Sequence, residues 1–167
     1  RNGLTIRAGD EADLFAAFVA HHGQLIAARG FDTSLTPDLL EGLQDLLPAV
    51  RKMKAFLAYD DDGDVLGSVL MARYGDTCEY LAGNTGDQGR RRNAGQVLIW
   101  RALTAMKDEG CTRLDLSGMD PDTTPPGIYT FKEGLGAVPY RLATELEAVG
   151  GFLGPLVRWR VNRARGL

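Results

Sequence analysis

Residues 83–109 read GNTGDQGRRRNAGQVLIWRALTAMKDE, a polar, glycine-rich segment followed by an amphipathic one. In the second part, apolar residues recur at steps of three and four, which is the spacing of one helix face. These residues are Leu98, Ile99, Ala102, Leu103 and Met106. The pattern predicts a helix from about Asn93 to Glu109, and the glycines before it predict a loop over Gly83–Gly89.

The residues after this helix predict a strand, a short helix and a further strand. Gly110 is a typical helix-ending residue, and residues 111–117 alternate apolar and polar side chains as a half-buried strand does. A loop rich in proline and aspartate leads to a short helix at residues 128–132, and Val138–Glu147 predicts another strand. From Gly154 onward the tail predicts a short basic helix.

The residues before the loop predict two helices and three strands. Apolar residues at helical spacing predict a first helix from about Asp10 to Gly30. A second helix begins at Thr36 and Pro37, a capping residue followed by proline at the first helical position. Its predicted apolar face consists of Leu39, Leu40, Leu43, Leu46 and Leu47. The strands are predicted at Met53–Tyr59, Val65–Tyr74 and Thr77–Ala82, and the first two form a hairpin.

Acidic residues fill the turn of that hairpin, where residues 60–64 read DDDGD. The spacing is similar to a calcium loop, but Met71 stands at the position where a glutamate would close the coordination sphere. Cys78 and Cys111 are far apart and lack a metal-ligand or redox spacing. We therefore expect no metal site, and we expect both cysteines to be buried.

Length and composition indicate one globular domain. The chain has 167 residues, 44% of them hydrophobic and 25% charged, with a formal net charge of -3. These values exclude a disordered, collagen-like or coiled-coil protein. No apolar stretch approaches the roughly 20 residues that cross a bilayer, and the N-terminus lacks the pattern of a secretion signal. We expect a cytoplasmic protein without a membrane span.

The order of predicted elements resembles that of the GNAT acyltransferases. This resemblance implies an α/β fold with a mixed sheet, in which the loop before the central helix presents backbone N–H groups to an anion. Three arginines, an asparagine and a glycine in this segment are therefore candidates for binding the phosphates of the donor. They are Arg90, Arg91, Arg92, Asn93 and Gly95. The segment matches the family's acetyl-CoA cradle only in part, and a solvated loop with a basic helix start is the alternative.

Two further segments resemble the second GNAT domain of Fem-type aminoacyltransferases. Residues 110–118 read GCTRLDLSG and residues 127–136 read GIYTFKEGLG, followed by Tyr140. The resemblance implies transfer of an aminoacyl group from aminoacyl-tRNA to an amine of a peptidoglycan precursor or peptide. It also implies two GNAT domains, so that residues 1–167 would be a single GNAT-like domain and part of a longer protein. Arg1 in place of an initiator methionine agrees with a fragment or a processed chain.

The same resemblance assigns roles to individual residues. Lys132 is the candidate for stabilising negative charge at the donor, and Tyr129 is the second catalytic candidate. Phe131, Tyr140 and Asp115 are candidate substrate-binding residues. The alternative for Lys132 is a surface lysine paired with Glu133 or Glu109, and for the aromatic residues it is a place in the core.

No general base is evident from the sequence. His21 and His22 are adjacent on the first helix, so we expect at most one of them to face a cleft. No spacing of serine, cysteine and histidine favours covalent catalysis. The arginines of the tail favour either a solvated helix or contact with a tRNA backbone; they are Arg158, Arg160, Arg163 and Arg165.

Three functions remain open at this point. The first is the Fem-like transfer from aminoacyl-tRNA, and the second is acetyl-CoA-dependent N-acetyl transfer to an amine. The third is a non-catalytic half that binds the donor beside an upstream GNAT domain. For the two enzymatic functions the donor, aminoacyl-tRNA or acyl-CoA, is a substrate, and we expect no tightly bound cofactor.

Overall fold

Five strands form one mixed sheet in a computed structural model of the chain, which describes residues 3–30, 33–122, 124–141 and 154–164. The order across the sheet follows the order along the chain. The strands are β1 (Thr5–Gly9), β2 (Lys54–Tyr59), β3 (Val65–Tyr74), β4 (Thr77–Thr85) and β5 (Arg113–Asp115). Neighbours from β1 to β4 are antiparallel, whereas β4 and β5 are parallel.

Helices cover both faces of this sheet. They are α1 (Ala12–Arg29), α2 (Pro37–Leu46), α3 (Asp87–Arg91), α4 (Ala94–Asp108) and α5 (Pro126–Gly134). A further helix, α6 (Gly154–Ala164), follows in the chain. None of the helices in the described residues is long and apolar enough to span a bilayer.

Successive side chains of the buried strands pack alternately into two separate hydrophobic cores, one on each face of the sheet. Ala55 and Leu57 of β2 pack with α1 and α2, whereas Phe56 and Ala58 pack with α4. Because a sheet covered on both faces buries successive side chains on opposite sides, residues 55–58 of β2 are all apolar. This layering confirms the predicted α/β class with a mixed sheet.

The helix ends follow the local signals in the sequence. The Thr36 hydroxyl accepts a hydrogen bond from the Leu39 amide at 3.3 Å, and Pro37 opens α2 as predicted. Gly30 ends α1 with φ 60°, a left-handed conformation that glycine adopts without a steric penalty. The helix predicted over Asn93–Glu109 is confirmed as α4.

Three elements differ from the prediction. β1 was not expected; it pairs with β2 from Thr5 opposite Tyr59 to Gly9 opposite Ala55. The predicted loop over Gly83–Gly89 is wrong, because β4 continues to Thr85 by pairing with β3 and α3 follows. The strand expected at residues 111–117 is limited to Arg113–Asp115, the only part that pairs with β4.

The predicted apolar face of α2 is wrong in part. Leu40 and Gln44 are the buried residues of α2, while Leu39, Leu43 and Leu46 are exposed. Gln44 occupies its buried position because its side-chain amide bonds the backbone of Met53 in both directions, at 2.9 and 3.1 Å. Cys78 and Cys111 are buried free thiols, as predicted.

The chain separates into two compact units, residues 1–137 and 138–167. In the second unit, residues 138–141 form no strand, and the rest of the strand predicted over Val138–Glu147 lies outside the described residues. The predicted basic tail helix is confirmed as α6, in which the Arg163 guanidinium lies 5.4 Å from the centre of the Trp159 ring. The interpretation of residues 1–167 as one domain stays a prediction.

Candidate active site

A cavity of about 600 Å³ opens in the first unit where β4 and β5 separate. The two strands pair only from Thr77 opposite Arg113 to Glu79 opposite Asp115. After Asp115 the chain leaves the sheet through Ser117, which has φ 62°, while β4 continues to Thr85 paired with β3. Ser117 is held there because its amide donates to Asp115 Oδ1 at 2.8 Å and its hydroxyl to the Tyr80 carbonyl at 3.0 Å. The cavity is lined by His22, Thr33, Leu35, Ser68, Val69, Tyr80, Leu81, Ala82, Gly83, Asn84, Thr85, Arg90, Gly95, Gln96, Ser117, Gly127, Ile128, Phe131 and Lys132.

A bulge bends β4 along the cavity. Leu70 faces Ala82 and Met71 faces Tyr80, so Leu81 has no partner across the strand pair. Such a bulge locally disrupts the ladder and increases the bend of the strand. Burial raises the pKa of the neighbouring Tyr80 to about 12, so its hydroxyl stays protonated and available as a donor at neutral pH.

Beyond Glu79, the edge of β4 on the side away from β3 is no longer paired with β5, and we call it the open edge. Backbone amides of β4 point outward from it. The Gly86 amide donates to the Leu66 carbonyl on β3 at 3.2 Å. Because amides alternate in direction along a strand, those of Gly83 and Thr85 point away from β3. Arg90 Nη1 donates to the Thr85 carbonyl from this side at 2.7 Å, which agrees with that direction. In the described part of the chain no strand pairs with this edge, so it offers amide donors to a ligand.

The N-terminus of α4 reaches the same cavity. Its capping residue, Asn93, has φ 54° and makes no side-chain cap hydrogen bond. The amides of the first turn of a helix lack partners within the helix and favour an anion. At Gly95 a Cβ atom would lie 3.1 Å from Thr85 Oγ1, so glycine lets this helix end approach β4 closely. The geometry fits a phosphate group near Gly95.

Lys132 supplies a buried cation from α5. Its side chain is 7% exposed, and its Nζ donates to the Gly118 carbonyl at 2.6 Å. Burial lowers the pKa of this amine, and the negative charge of Asp115 acts against that shift. Since an ammonium group has three N–H donors, two remain beyond the bond to Gly118. Lys132 can therefore stabilise negative charge in the cavity that it lines.

A polar cluster covers the side of the cavity next to α1. Ser68 and Asn84 are partners across β3 and β4, and both are buried. His21 Nδ1 lies 2.8 Å from Ser68 Oγ, and His22 Nδ1 lies 3.1 Å from Asn84 Nδ2. We expected at most one of the two histidines to face a cleft: His22 lines the cavity and His21 does not, although both are bonded to the sheet.

The family follows from the match of the sequence to a family model. Residues 1–133 match the model described as an acetyltransferase (GNAT) domain. The chain belongs to the GNAT acetyltransferases. The donor of GNAT acetyltransferases is acetyl-CoA, which these enzymes bind as a substrate. No protein of curated function matches this GNAT sequence.

Solved structures share the fold of this GNAT chain. The aminoglycoside acetyltransferase meta-AAC0020 from an uncultured soil metagenomic sample, solved with sisomicin, has 17% identity and a TM-score of 0.64, with 90% of this chain and 98% of that one covered. The aminoglycoside 6'-N-acetyltransferase AAC(6')-Ih from Acinetobacter baumannii has 13% identity and a TM-score of 0.63, covering 89% and 100%. AAC(6')-Iy, solved with a CoA bisubstrate analogue, has 16% identity and a TM-score of 0.63, covering 87% and 98%.

The predicted donor-binding residues of this GNAT chain divide into two groups. Arg90 and Gly95 line the cavity, whereas Arg91, Arg92 and Asn93 do not. Arg90 also forms an ion pair with Asp87. Arg92 instead reaches the Gly3 carbonyl at 3.5 Å.

The predicted catalytic and substrate-binding residues divide in the same way. Phe131 and Lys132 line the cavity, whereas Tyr129 and Asp115 do not. Tyr140 is exposed and belongs to the second unit. The alternative of a surface lysine is wrong, because Lys132 is buried and Glu109 pairs with Lys54 at 2.5 Å.

Sequence reasoning missed Ser68, Asn84 and Tyr80. The signal available for Ser68 was a polar residue within the apolar run of β3. Asn84 was assigned to a loop, and only its pairing with Ser68 places it in the sheet. The roles of the lining residues remain predictions.

Proposed function

We propose that this GNAT chain transfers an acetyl group from acetyl-CoA to a primary amine of a small molecule. The observation that carries the proposal is that the open edge of β4, the start of α4 and Lys132 all border the same cavity. One wall offers amide donors, another favours a phosphate, and the third carries a cation. An acyl thioester bearing a pyrophosphate needs these three kinds of contact.

The reaction follows from these groups. The neutral amine attacks the thioester carbonyl, a C–N bond forms, and the C–S bond then breaks to release the CoA thiolate. Negative charge grows on the carbonyl oxygen during the attack. Outward amides of β4, at Gly83 or Thr85, are positioned to donate to that oxygen, and the hydroxyl of Tyr80 is a donor for the thiolate.

The phosphates of the donor would bind at the start of α4. The backbone amides next to Gly95 would orient the phosphate through hydrogen bonds, and the guanidinium of Arg90 would supply positive charge. Asp87 offsets part of that charge through its ion pair. For this reason we expect the helix N-terminus to contribute more to donor binding than Arg90.

The acceptor class is proposed from the similar structures and the cavity. The similar proteins named above include two whose names describe aminoglycoside acetyltransferases. The cavity side chains on the α1 side are polar and uncharged at Ser68 and Asn84, which suits an amine with hydroxyl groups. Aminoglycosides, polyamines and amino sugars are therefore the first acceptors to test.

Binding of acetyl-CoA by isothermal titration tests the donor assignment. We expect a Kd in the micromolar range, which corresponds to about -8 kcal/mol. Gly95→Val should weaken binding about tenfold or more, because a branched side chain would occupy the approach between α4 and Thr85. Gly42→Ala is the matched control, since its new Cβ atom meets nothing within 4 Å. No heat of binding at about 1 mM donor would contradict the proposal.

Release of CoA thiol in the presence of candidate amines tests the transfer itself. The protein's own thiols interfere little with a thiol reagent. Cys78 and Cys111 are buried, and burial raises the pKa of Cys78 to about 11. Thiol release that depends on both amine and acetyl-CoA supports the proposal.

Aminoacyl transfer from tRNA is the second candidate function. The observation that favours it is the position of Phe131 and Lys132, both from the segment that resembles Fem-type enzymes, on the cavity wall. In that case the chain would be one domain of a longer protein, with a peptide or peptidoglycan precursor as acceptor. Aminoacyl-tRNA consumption without acetyl-CoA binding would favour this function.

A further inference from the structure

The cluster of His21, His22, Ser68 and Asn84 contains two separate hydrogen-bonded pairs. Ser68 and Asn84 both line the cavity and are 0% and 5% exposed. Helix α1 places one histidine against each of them. Four polar side chains between a sheet and its covering helix are costly to bury unless each is bonded.

The hydrogen bonds of His22 determine its tautomer. Its Nε2 lies 2.9 Å from the Leu35 carbonyl, which can only accept, so Nε2 carries the proton. Its Nδ1 is then an acceptor and takes the bond from Asn84 Nδ2 at 3.1 Å. The ring also stacks on Phe18, with centroids 5.6 Å apart and planes at 14°. Both nitrogens of His22 are occupied, so His22 orients Asn84 and has no free lone pair.

His21 is in a different position. Its Nδ1 lies 2.8 Å from Ser68 Oγ, and its ring is only partly buried. Burial is the largest cause that lowers the pKa of His21, and electrostatic repulsion from His22 lowers it further. Among the described residues of α1, α2 and the strands packed on α1, His22 is the titratable group that acts on it. His21 is therefore neutral near pH 7 and can accept a proton at Nδ1.

We propose that Ser68 and His21 form a proton relay that removes the proton from the acceptor amine. This inference rests on the proposed acetyl transfer. As the C–N bond forms, the amine proton passes to Ser68 Oγ and the original hydroxyl proton passes to His21 Nδ1. The C–S bond breaks and the thiolate takes the electron pair. Imidazolium then loses its proton to solvent from its partly exposed ring, which restores the relay.

In this relay Ser68 is the catalytic residue, since it lines the cavity, and His21 is a positioning residue that acts through it. Asn84 lies beside Ser68 on the neighbouring strand. With its amide nitrogen engaged by His22, its oxygen can accept a hydrogen bond from the acceptor amine. The pair would thus hold the amine and remove its proton from one side.

The test compares the pH dependence of kcat in wild type, His21→Gln and Ser68→Ala. We expect kcat to fall about 10²-fold in both variants, because general-base catalysis typically contributes that factor. In wild type, kcat should decrease at low pH as His21 becomes protonated, and this acid limb of the pH profile should be absent in His21→Gln. Ser68→Thr restores the hydroxyl and should recover part of the rate. Thr104→Val removes a hydroxyl on α4 away from the cavity and is the control. Unaltered kcat and acid limb in folded variants that bind acetyl-CoA would overturn the relay alone.

A second measurement needs no variant. In ¹⁵N NMR of the histidine rings, neutral His21 should carry its proton on Nε2, with Nδ1 accepting from Ser68. If Nδ1 carries the proton, Ser68 cannot donate to it and the relay is overturned. Wild-type protein that neither binds acetyl-CoA nor releases CoA thiol would overturn the proposed function, and the relay with it. The two failures are therefore distinguishable.

Discussion

Lys132 Nζ donates to the carbonyl oxygen of Gly118 at 2.6 Å, which joins α5 to the segment that leaves the sheet after β5. Since Lys132 lines the cavity, this bond holds part of the cavity wall in place. Because the Lys132 side chain is buried and hydrogen-bonded, it stabilises the fold around the cavity as well as placing a cation there. The effect of removing Lys132 on stability and its effect on function must therefore be measured separately.

Lys132→Met should reduce both properties. The substitution keeps an unbranched side chain but leaves the Gly118 carbonyl without its donor, so we expect a loss of about 1–2 kcal/mol in the free energy of unfolding. Acetyl transfer should fall by about tenfold or more, because the cation is lost from the cavity. Urea denaturation and the thiol-release assay measure the two effects.

Lys132→Arg is the matched comparison, since it retains the positive charge. If charge is the functional property, Arg should keep more activity than Met at similar stability. Equal activity in both variants, with a stability loss in each, would assign Lys132 a purely structural role.

Alanine substitutions at Gly89 and Gly42 should change the stability of the protein in opposite directions. A Cβ atom at Gly89 would lie 2.1 Å from the Leu66 carbonyl oxygen, so the backbone of α3 or β3 must move. At Gly42, in the interior of α2, a Cβ atom meets nothing within 4 Å. We expect Gly89→Ala to destabilise by about 1–3 kcal/mol and Gly42→Ala to stabilise by about 0.5–1 kcal/mol. Thermal unfolding of both variants checks this, and a shared sign would contradict the packing described for α3.

Local signals explain which parts of the fold were predictable. The cap at Thr36 and the helical period of α4 depend on neighbours in sequence, and both predictions are confirmed. Gly83 and Asn84 are typical loop residues, yet they lie in β4 because Val69 and Ser68 pair with them. Partners distant in sequence override local preference there.

The same distinction applies to the candidate site. Gly95 and Lys132 lie within short segments that resemble known motifs, and both line the cavity. The contact of His21 with Ser68 joins residues 47 positions apart, and no local pattern indicates it. Groups that come from separate elements of the fold are visible only once the sheet is assembled.

Gln44 holds α2 against the start of β2. Its Nε2 donates to the Met53 carbonyl at 3.1 Å and its Oε1 accepts from the Met53 amide at 2.9 Å. Gln44→Ala should cost about 2–4 kcal/mol, because two buried backbone groups lose their partners. Leu46→Ala is the control on the same helix, since Leu46 is 85% exposed and should change stability by less than about 0.5 kcal/mol. Similar urea midpoints for the two variants would contradict this role.

Acidification should destabilise the protein through His21. Burial, aided by the charge of His22, lowers its pKa in the folded state below the 6.5 of an unperturbed histidine. The unfolded chain therefore binds more protons at this position as the pH falls below about 6.5, and stability decreases through the interval down to the folded-state pKa. His21→Gln removes the titrating group, so its stability should vary less between about pH 5 and 7 than that of wild type. Urea denaturation across this range measures the difference, and parallel curves for the two proteins would show that His21 is not the group responsible.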